Sequence, residues 1–284
     1  MKIPFSKLHG LGNDYLFLDA LQNPELTKMD FVKLAIDMSH RRLGPGADGI
    51  VILLPSVKDA VAMRIFNCDG SEAEMCGNAL RCVARICRER QYVSDYRFSI
   101  EIGKRSVTAS LDPDDTAYRS VSVNIGTASF QRSSLPMIGD GSAEKVDLSV
   151  DGRDFDATCV NIGNPHCVIF SGEISIDDVF RYGPQIENHL LFPQKTNVGF
   201  CHVRSRSLIE LFVWERGAGM TGACGSGAAA AFAASRLRHL VDPHCSVKMP
   251  GGILDFHQNT QAELQMIGPA THVYDGIWFS DVVY

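Results

Sequence analysis

No stretch of this chain approaches the roughly 20 consecutive apolar residues that a helix needs to cross a bilayer, so no membrane span is expected. Basic blocks are scarce too. Lys and Arg number 27 against 33 Asp and Glu, the formal charge is −6, and the Arg-rich segments at Arg41-Arg42 and 88–90 are short. Nucleic acid is therefore not an expected partner. The opening residues, MKIPFSKLHG, contain no apolar core of a secretory signal, and the expected location is the cytoplasm. C-x-x-C pairs are missing. The nine cysteines are odd in number; Cys82 and Cys87 have four residues between them, Cys159 and Cys167 have seven, and no second such set or His pair accompanies them. Neither a disulfide framework nor a metal site is expected, and free thiols in a reducing compartment are the default.

The 284 residues, 45% of them apolar and 21% charged, suit one large domain or two ordinary ones. Short runs that alternate apolar and polar residues read as strands: KIPFSKLHG, DYLFLDAL, GIVILL, AVAMRIFN, RFSIEI, SVTASL and RSVSVNIG. Two helices interrupt them. One spans 30–40, with Phe31, Leu34, Ala35 and Met38 on one face and Asp30 as N-cap. The other follows Cys76, with Ala79, Leu80, Val83, Ala84 and Cys87 at helical spacing and Arg81, Arg85 and Arg88 on the opposite side. Residues 131–145, rich in Ser, Gly and Pro, read as a linker or long loop. The pattern then restarts with KVDLSV, DFDATCVNIG and HCVIFSG, a helix near 176–189, NVGFCHVRS, LIELFVWE, an alanine-rich helix at 226–240 and further strands.

The restart has the form of a duplication. In the first half VAMRIFN leads through CDGSEAEM to Cys76-Gly77 and a helix; in the second, IELFVWE leads through RGAGMTGA to Cys224-Gly225 and a helix, 148 residues further on. A helix start offers unpaired backbone N–H groups and the positive end of the helix dipole. A thiol placed there is expected to ionise more readily, and the amides form a carboxylate site. If both helix starts served one α-carboxylate, one thiolate could remove the α-proton and the other thiol could return a proton to the opposite face. The remaining cysteines, Cys82, Cys87, Cys159, Cys167, Cys201 and Cys245, lie in or beside apolar runs and read as core; Cys68 stands in a polar loop.

The segments KLHGLGNDYLFLD (7–19), GPGADGIVIL (44–53), FNCDGSEAEMCGNALRC (66–82), NIGNPHCV (161–168), TNVGF (196–200) and WERGAGMTGACGSGA (214–228) resemble the diaminopimelate epimerase family, in the same order and over most of the chain. The resemblance implies an α/β (α+β) fold of two pseudo-symmetric halves, each a curved, mostly antiparallel sheet or barrel around a central helix, with the active site in the cleft between them. Residues 1–126 plus 271–284 would form the half carrying Cys76, and 127–270 the half carrying Cys224. The implied reaction is cofactor-independent conversion of LL- to meso-diaminopimelate, a lysine and peptidoglycan precursor, by a homodimer with no metal. Cys76 and Cys224 would be the acid/base pair. Gly77, Asn78, Gly225 and Ser226 would hold the α-carboxylate. Asn13, Asn67, Asn164, Asn197, Glu215 and Arg216 would bind the rest of the amino-acid substrate, Glu215 and Arg216 suiting an ammonium and a carboxylate. His166 reads as a structural hydrogen-bonding histidine, and Asp48 in the GADG turn is assigned no chemistry. Met220 and Gly222 depart from residues that many relatives carry, and Gly49 and Ala79-Leu80 from residues found in some. Rival readings are a related racemase of histidine or glutamate, a dinucleotide enzyme using Gly217-x-Gly219-x-x-Gly222, and a non-catalytic amino-acid binder, for which two helix-start thiols would have no purpose.

Overall fold

The computed structural model describes residues 2–173 and 175–279; residues 1 and 280–284, counted above with the first half, lie outside the described residues. The chain divides into two compact units, Met1–Val123 with Gly268–Tyr284, and Asn124–Ile267. The described residues form 18 strands and four α-helices, a mixed α/β fold.

In the first unit the order is β1 (Lys2–Gly10), β2 (Asn13–Asp19), α1 (Phe31–Ser39), β3 (Gly49–Leu54), β4 (Val61–Asn67), β5 (Glu72–Ala73), α2 (Gly77–Glu89), β6 (Arg97–Ile102), β7 (Arg105–Leu111) and β8 (Ser120–Thr127). The second begins with β9 (Val146–Val150) and β10 (Arg153–Asn161). It continues through β11 (Pro165–Phe170), α3 (Ile176–Glu187), β12 (Asn197–Ser205), β13 (Leu208–Glu215), β14 (Gly219–Thr221), α4 (Gly225–Leu237), β15 (His244–Met249), β16 (Gly252–Gln258) and β17 (Glu263–Pro269). The last strand, β18 (Thr271–Phe279), returns to the first unit and pairs antiparallel with β1.

The duplication extends to the pairing of strands. In the first unit β1–β2 is antiparallel, β2–β3 parallel, β3–β4 and β4–β5 antiparallel, β4–β6 parallel, and β6–β7 antiparallel. Nine strands later the series repeats: β10–β11 antiparallel, β11–β12 parallel, β12–β13 and β13–β14 antiparallel, β13–β15 parallel, β15–β16 antiparallel. Each parallel pair is bridged by one helix, as a parallel connection requires. The first unit's core packs α1, through Leu34, Ala35 and Met38, against Leu16, Leu18, Ile50, Ile52 and Phe66. The second packs α3, through Val179, Tyr182 and Ile186, against Cys167, Val198 and Phe200. The other helix of each unit covers further strands: α2 packs on β1 and β7, α4 on β10 to β13, β15 and β16. Strands covered by helices on both faces become continuous apolar runs, and the first five residues of GIVILL are buried.

Residues 131–145 form the long loop, which buries Leu135, Met137 and Ala143 in the core of the second unit and bridges Gln131 to Ser142. One expectation changes. Arg81 is not on an outward polar face. It is fully buried, and its guanidinium donates to Asn78 Oδ1 at 2.6 Å, Pro269 O at 3.2 Å and Gly77 O at 3.3 Å. Those oxygens replace the water that a buried cation gives up. Cys82, Cys87, Cys159, Cys167, Cys201 and Cys245 are buried and Cys68 is exposed. Arg81→Ala leaves the three acceptors short of a donor and is expected to cost about 3 kcal/mol of unfolding free energy. Urea unfolding of the variant checks this, and an unchanged midpoint would contradict it.

Candidate active site

Cys76 and Cys224 are the N-caps of α2 and α4, both 13-residue helices. Both caps have extended backbone, and their carbonyls accept the first intrahelical bonds, from Leu80 and Ala228. The helices also end alike. Arg90 and Arg238 are the C-caps, followed by Gln91 and His239 at φ 59° and 56°.

In the first unit Cys76 Sγ donates to Asn13 Oδ1 at 3.7 Å, and Asn78 Nδ2 donates to the same oxygen at 3.1 Å. Asn13 Nδ2 donates to Asp48 Oδ2 at 2.9 Å. This fixes the amide with its oxygen toward the cysteine. Asp48 also accepts from Arg41 at 2.8 Å and from the Asp14 amide at 3.1 Å, so the residue given no chemistry holds one that was assigned substrate. Tyr15, Gly49 and Asn67 stand in one row across β2, β3 and β4. Asn67 donates to Ser71 Oγ at 3.0 Å. Tyr15 is buried; burial, then the charge of Cys76, push its phenol well above the ordinary range. It therefore remains a donor.

In the second unit Cys224 is buried, its sulfur accepting from the Gly227 amide at 3.4 Å and lying 3.5 Å from Ser226 Oγ. Asn164 Nδ2 donates to Ser226 Oγ at 3.4 Å. His166 Nε2 donates to Asn164 Oδ1 at 2.8 Å, since an amide oxygen can only accept. Asn197 spends its amide on the backbone, donating to Pro165 O at 2.8 Å and accepting from Arg216 N at 3.0 Å. Arg216 is exposed, one guanidinium nitrogen 3.3 Å from Gln194 O. Glu215 is half-buried and accepts from Thr221 Oγ1, and its charge acts on Cys224.

The repeated pairing aligns the two sets. The row Tyr15–Gly49–Asn67 corresponds to His166–Asn197, continued by Glu215 where β13 ends beyond the Val198–Trp214 pair. Two residues earlier, Asn13 corresponds to Asn164. Asn13 meets Asn78, and Asn164 meets Ser226, at the second position of the helix in each case. Every residue assigned to substrate except Arg216 thus belongs to this repeated frame. Tyr15 was missed because it reads as an apolar strand residue, and only cross-strand register gives it its place.

Electrostatics correct one expectation. The thiol of Cys224 is not eased toward ionisation. Burial pushes it far above the ordinary thiol range and the Glu215 charge adds to this, while Ser226 and the Gly227 amide oppose it without prevailing. Desolvation of a thiolate outweighs the helix start here. His166 is likewise held neutral by burial and by the charge of Arg216, its value lowered to about 3. The Gly217-x-Gly219-x-x-Gly222 run turns the hairpin between β13 and β14, with Glu215 opposite Gly219, and does not open a helix as a dinucleotide loop does.

Residues 5–131 and 158–273 match the family model described as Diaminopimelate epimerase. A diaminopimelate epimerase of Desulfitobacterium hafniense is 40% identical over 278 residues, covering 98% of each chain. One of Pelotomaculum thermopropionicum is 42% identical over 276 residues, covering 96% of this chain and 97% of its own. The chain belongs to the diaminopimelate epimerase family. It is an epimerase, an isomerase. Among solved structures, a Bacillus anthracis phenazine biosynthesis protein of the PhzF family superimposes with a TM-score of 0.69 at 13% identity, covering 99% of this chain and all of its own. A hydroxyproline epimerase from Agrobacterium vitis with bound trans-4-OH-L-proline gives 0.68 at 12%, covering 97% and 92%. At these identities the likeness is one of fold. The fold is thus shared with proteins of other names.

His166 supplies a pH test. The unfolded chain binds a proton at this residue near pH 6.5 and the folded chain only near pH 3. Between those values the unfolded state holds more protons, so stability falls as pH drops from about 6.5 toward 3, by up to about 1.4 kcal/mol per unit. Denaturant unfolding at several pH values is expected to show this slope, and His166→Gln to reduce it.

Proposed function

We propose that this chain interconverts LL- and meso-diaminopimelate without a cofactor, with Cys76 and Cys224 as the base and acid. The observation that carries the reading is the pair of cysteines capping equivalent helices, each followed by glycine. A cysteine is an unusual N-cap, and only a reaction needing two thiols gives a reason for two.

The chemistry follows from the groups available. A thiolate takes the α-proton and forms an S–H bond. The electron pair left on carbon delocalises into the α-carboxylate, whose growing charge falls to the amides of Gly77, Asn78, Gly225 and Ser226. Such preorganised donors are worth about 3 kcal/mol each in other enzymes. The second thiol gives its proton to the opposite face and becomes the thiolate. The high ionisation cost of Cys224 makes it the thiol at rest, ready to donate. Glu215 and Arg216 offer a carboxylate and a guanidinium to the substrate's second charged pair, with Asn67, Asn164 and Asn197 among its polar contacts. The reading requires both sulfurs to reach one carbon from opposite sides. The homodimer, the cytoplasmic address and the supply of lysine and peptidoglycan precursors are part of this proposal and rest on family membership. Among the described residues no helix is long and apolar enough to cross a membrane.

Incubation in D₂O with a panel including LL- and meso-diaminopimelate, histidine and glutamate is the direct test, with deuterium expected at Cα of diaminopimelate alone. Cys76→Ala and Cys224→Ala are each expected to lower turnover at least ~10³-fold; near-normal turnover in either would end the two-thiol mechanism. Arg216→Ala is expected to raise KM at least ~10-fold with a smaller change in kcat, and unchanged constants would remove Arg216 from the substrate.

A further inference from the structure

The side chains beside Cys76 form one directed chain of hydrogen bonds. It starts at the buried guanidinium of Arg81, whose Nη2 donates to Asn78 Oδ1 at 2.6 Å. Asn78 Nδ2 donates to Asn13 Oδ1 at 3.1 Å, and Asn13 Nδ2 donates to Asp48 Oδ2 at 2.9 Å. Every link runs the same way, from a cation to a carboxylate. The ends decide the sense of the middle. A guanidinium only donates and an ionised carboxylate only accepts, so neither amide can turn over without setting donor against donor or acceptor against acceptor. Cys76 Sγ joins at the middle acceptor, donating to Asn13 Oδ1 at 3.7 Å.

Asp48 is itself fixed by the turn ahead of β3. Its N–H donates to Asp14 O and its carbonyl accepts from Cys68 N, both at 2.9 Å. Its carboxylate takes Asn13 Nδ2 and, at 3.1 Å, Asp14 N on Oδ2, and Arg41 Nη2 on Oδ1 at 2.8 Å. The second unit holds its amide in the reverse sense. Thr196 precedes Asn197 as Asp48 precedes Gly49, and its hydroxyl donates to Asn197 O at 3.2 Å. Asn164 is fixed through its oxygen, by His166, which leaves its nitrogen for Ser226 Oγ. One helix start therefore meets an amide oxygen and the other an amide nitrogen. The oxygen is on the side of Cys76, and a carboxylate keeps it there.

We infer that Asp48 is a positioning residue for epimerisation, holding Asn13 so that its oxygen receives the S–H formed when Cys76 takes the α-proton. This rests on the two-thiol reading: as the C–H bond breaks, the new S–H meets an acceptor already in place, where a turned amide would present N–H. The Asp48 side chain is 41% exposed, so its removal opens no cavity in the core. Asp48→Ala is expected to lower kcat about 10-fold with KM within ~3-fold, thermal melting checking the fold. The same substitution in an Asn13→Ala chain is expected to change kcat by less than ~2-fold, because the residue it acts through is gone. Asp48→Asn keeps one oxygen. Asn13 and the Asp14 amide claim that oxygen against the exposed Arg41, so Asn13 stays in place and kcat is expected within ~3-fold of the parent; this milder variant carries the test should Asp48→Ala not fold. Unchanged kcat in Asp48→Ala overturns the inference. Equal losses with and without the Asn13 side chain do so too, since a general structural role multiplies through. A loss confined to KM, or a ~10-fold loss in Asp48→Asn, has the same force. Each of these leaves the two-thiol reading standing, whereas near-normal turnover of Cys76→Ala removes that reading whatever Asp48 does.

Discussion

The first amides of a helix have no partner within it, and in this chain the two helices that begin at a cysteine leave those amides beside a sulfur. At α4 the Gly227 amide turns back to Cys224 itself, while α2 has no such bond from its cap. Much of the fold serves to fix where those helices start. The preceding strand of each, β4 or β13, is paired on both sides, by β3 and β6 or by β12 and β15, and folds a short return strand, β5 or β14, against its end. The cap is thus reached from a strand with little freedom of position. A reaction that must deliver protons to defined faces of one carbon needs this kind of constraint.

The repeat is faithful in backbone and unfaithful in side chains, and the difference is chemical. Tyr15 against His166, Gly49 against Asn197 and Asn67 against Glu215 occupy matching register positions. One half surrounds its cysteine with a phenol and amides; the other supplies a carboxylate, a neutral imidazole and the neighbouring Arg216. Identical halves would give both thiols the same surroundings. Unlike halves let burial and the charge of Glu215 keep Cys224 protonated.

How far the sequence discloses this depends on the range of the interaction. Strands such as GIVILL and the helices after Cys76 and Cys224 were legible because their patterns are local, and the glycine after each cysteine marked the caps. The long loop at 131–145 was legible from its Ser, Gly and Pro, which describe backbone freedom and say nothing of where Leu135, Met137 and Ala143 are buried. Tyr15 was illegible because its place lies in register: alternation puts it in a strand, but only pairing aligns it with Gly49 and Asn67. The acidity of Cys224 was misjudged for a related reason. The helix start is written in sequence, whereas the burial and the facing carboxylate that outweigh it are not.

Arg81 shows what the central helix of the first unit must do that its counterpart need not. The chain comes back to this unit through Gly268, and its last described strand, β18, begins at Thr271. The carbonyls of Pro269 and Ala270 just before it receive Arg81 Nε and Arg85 Nη1, at 3.2 and 2.6 Å. Arg81 also grips Asn78, whose amide meets Asn13 beside Cys76. Gly10 makes room for this, since a Cβ there would lie 2.7 Å from Arg81 Nη2. In α4 small alanines fill the positions around the helix, with Ala228 to Ala231 fully buried, and the strands can approach without a buried cation. The return strand is thereby fastened to the same helix whose first residue follows the cysteine, and the contacts run on from Arg81 and Asn78 to Asn13, which accepts from the Cys76 sulfur.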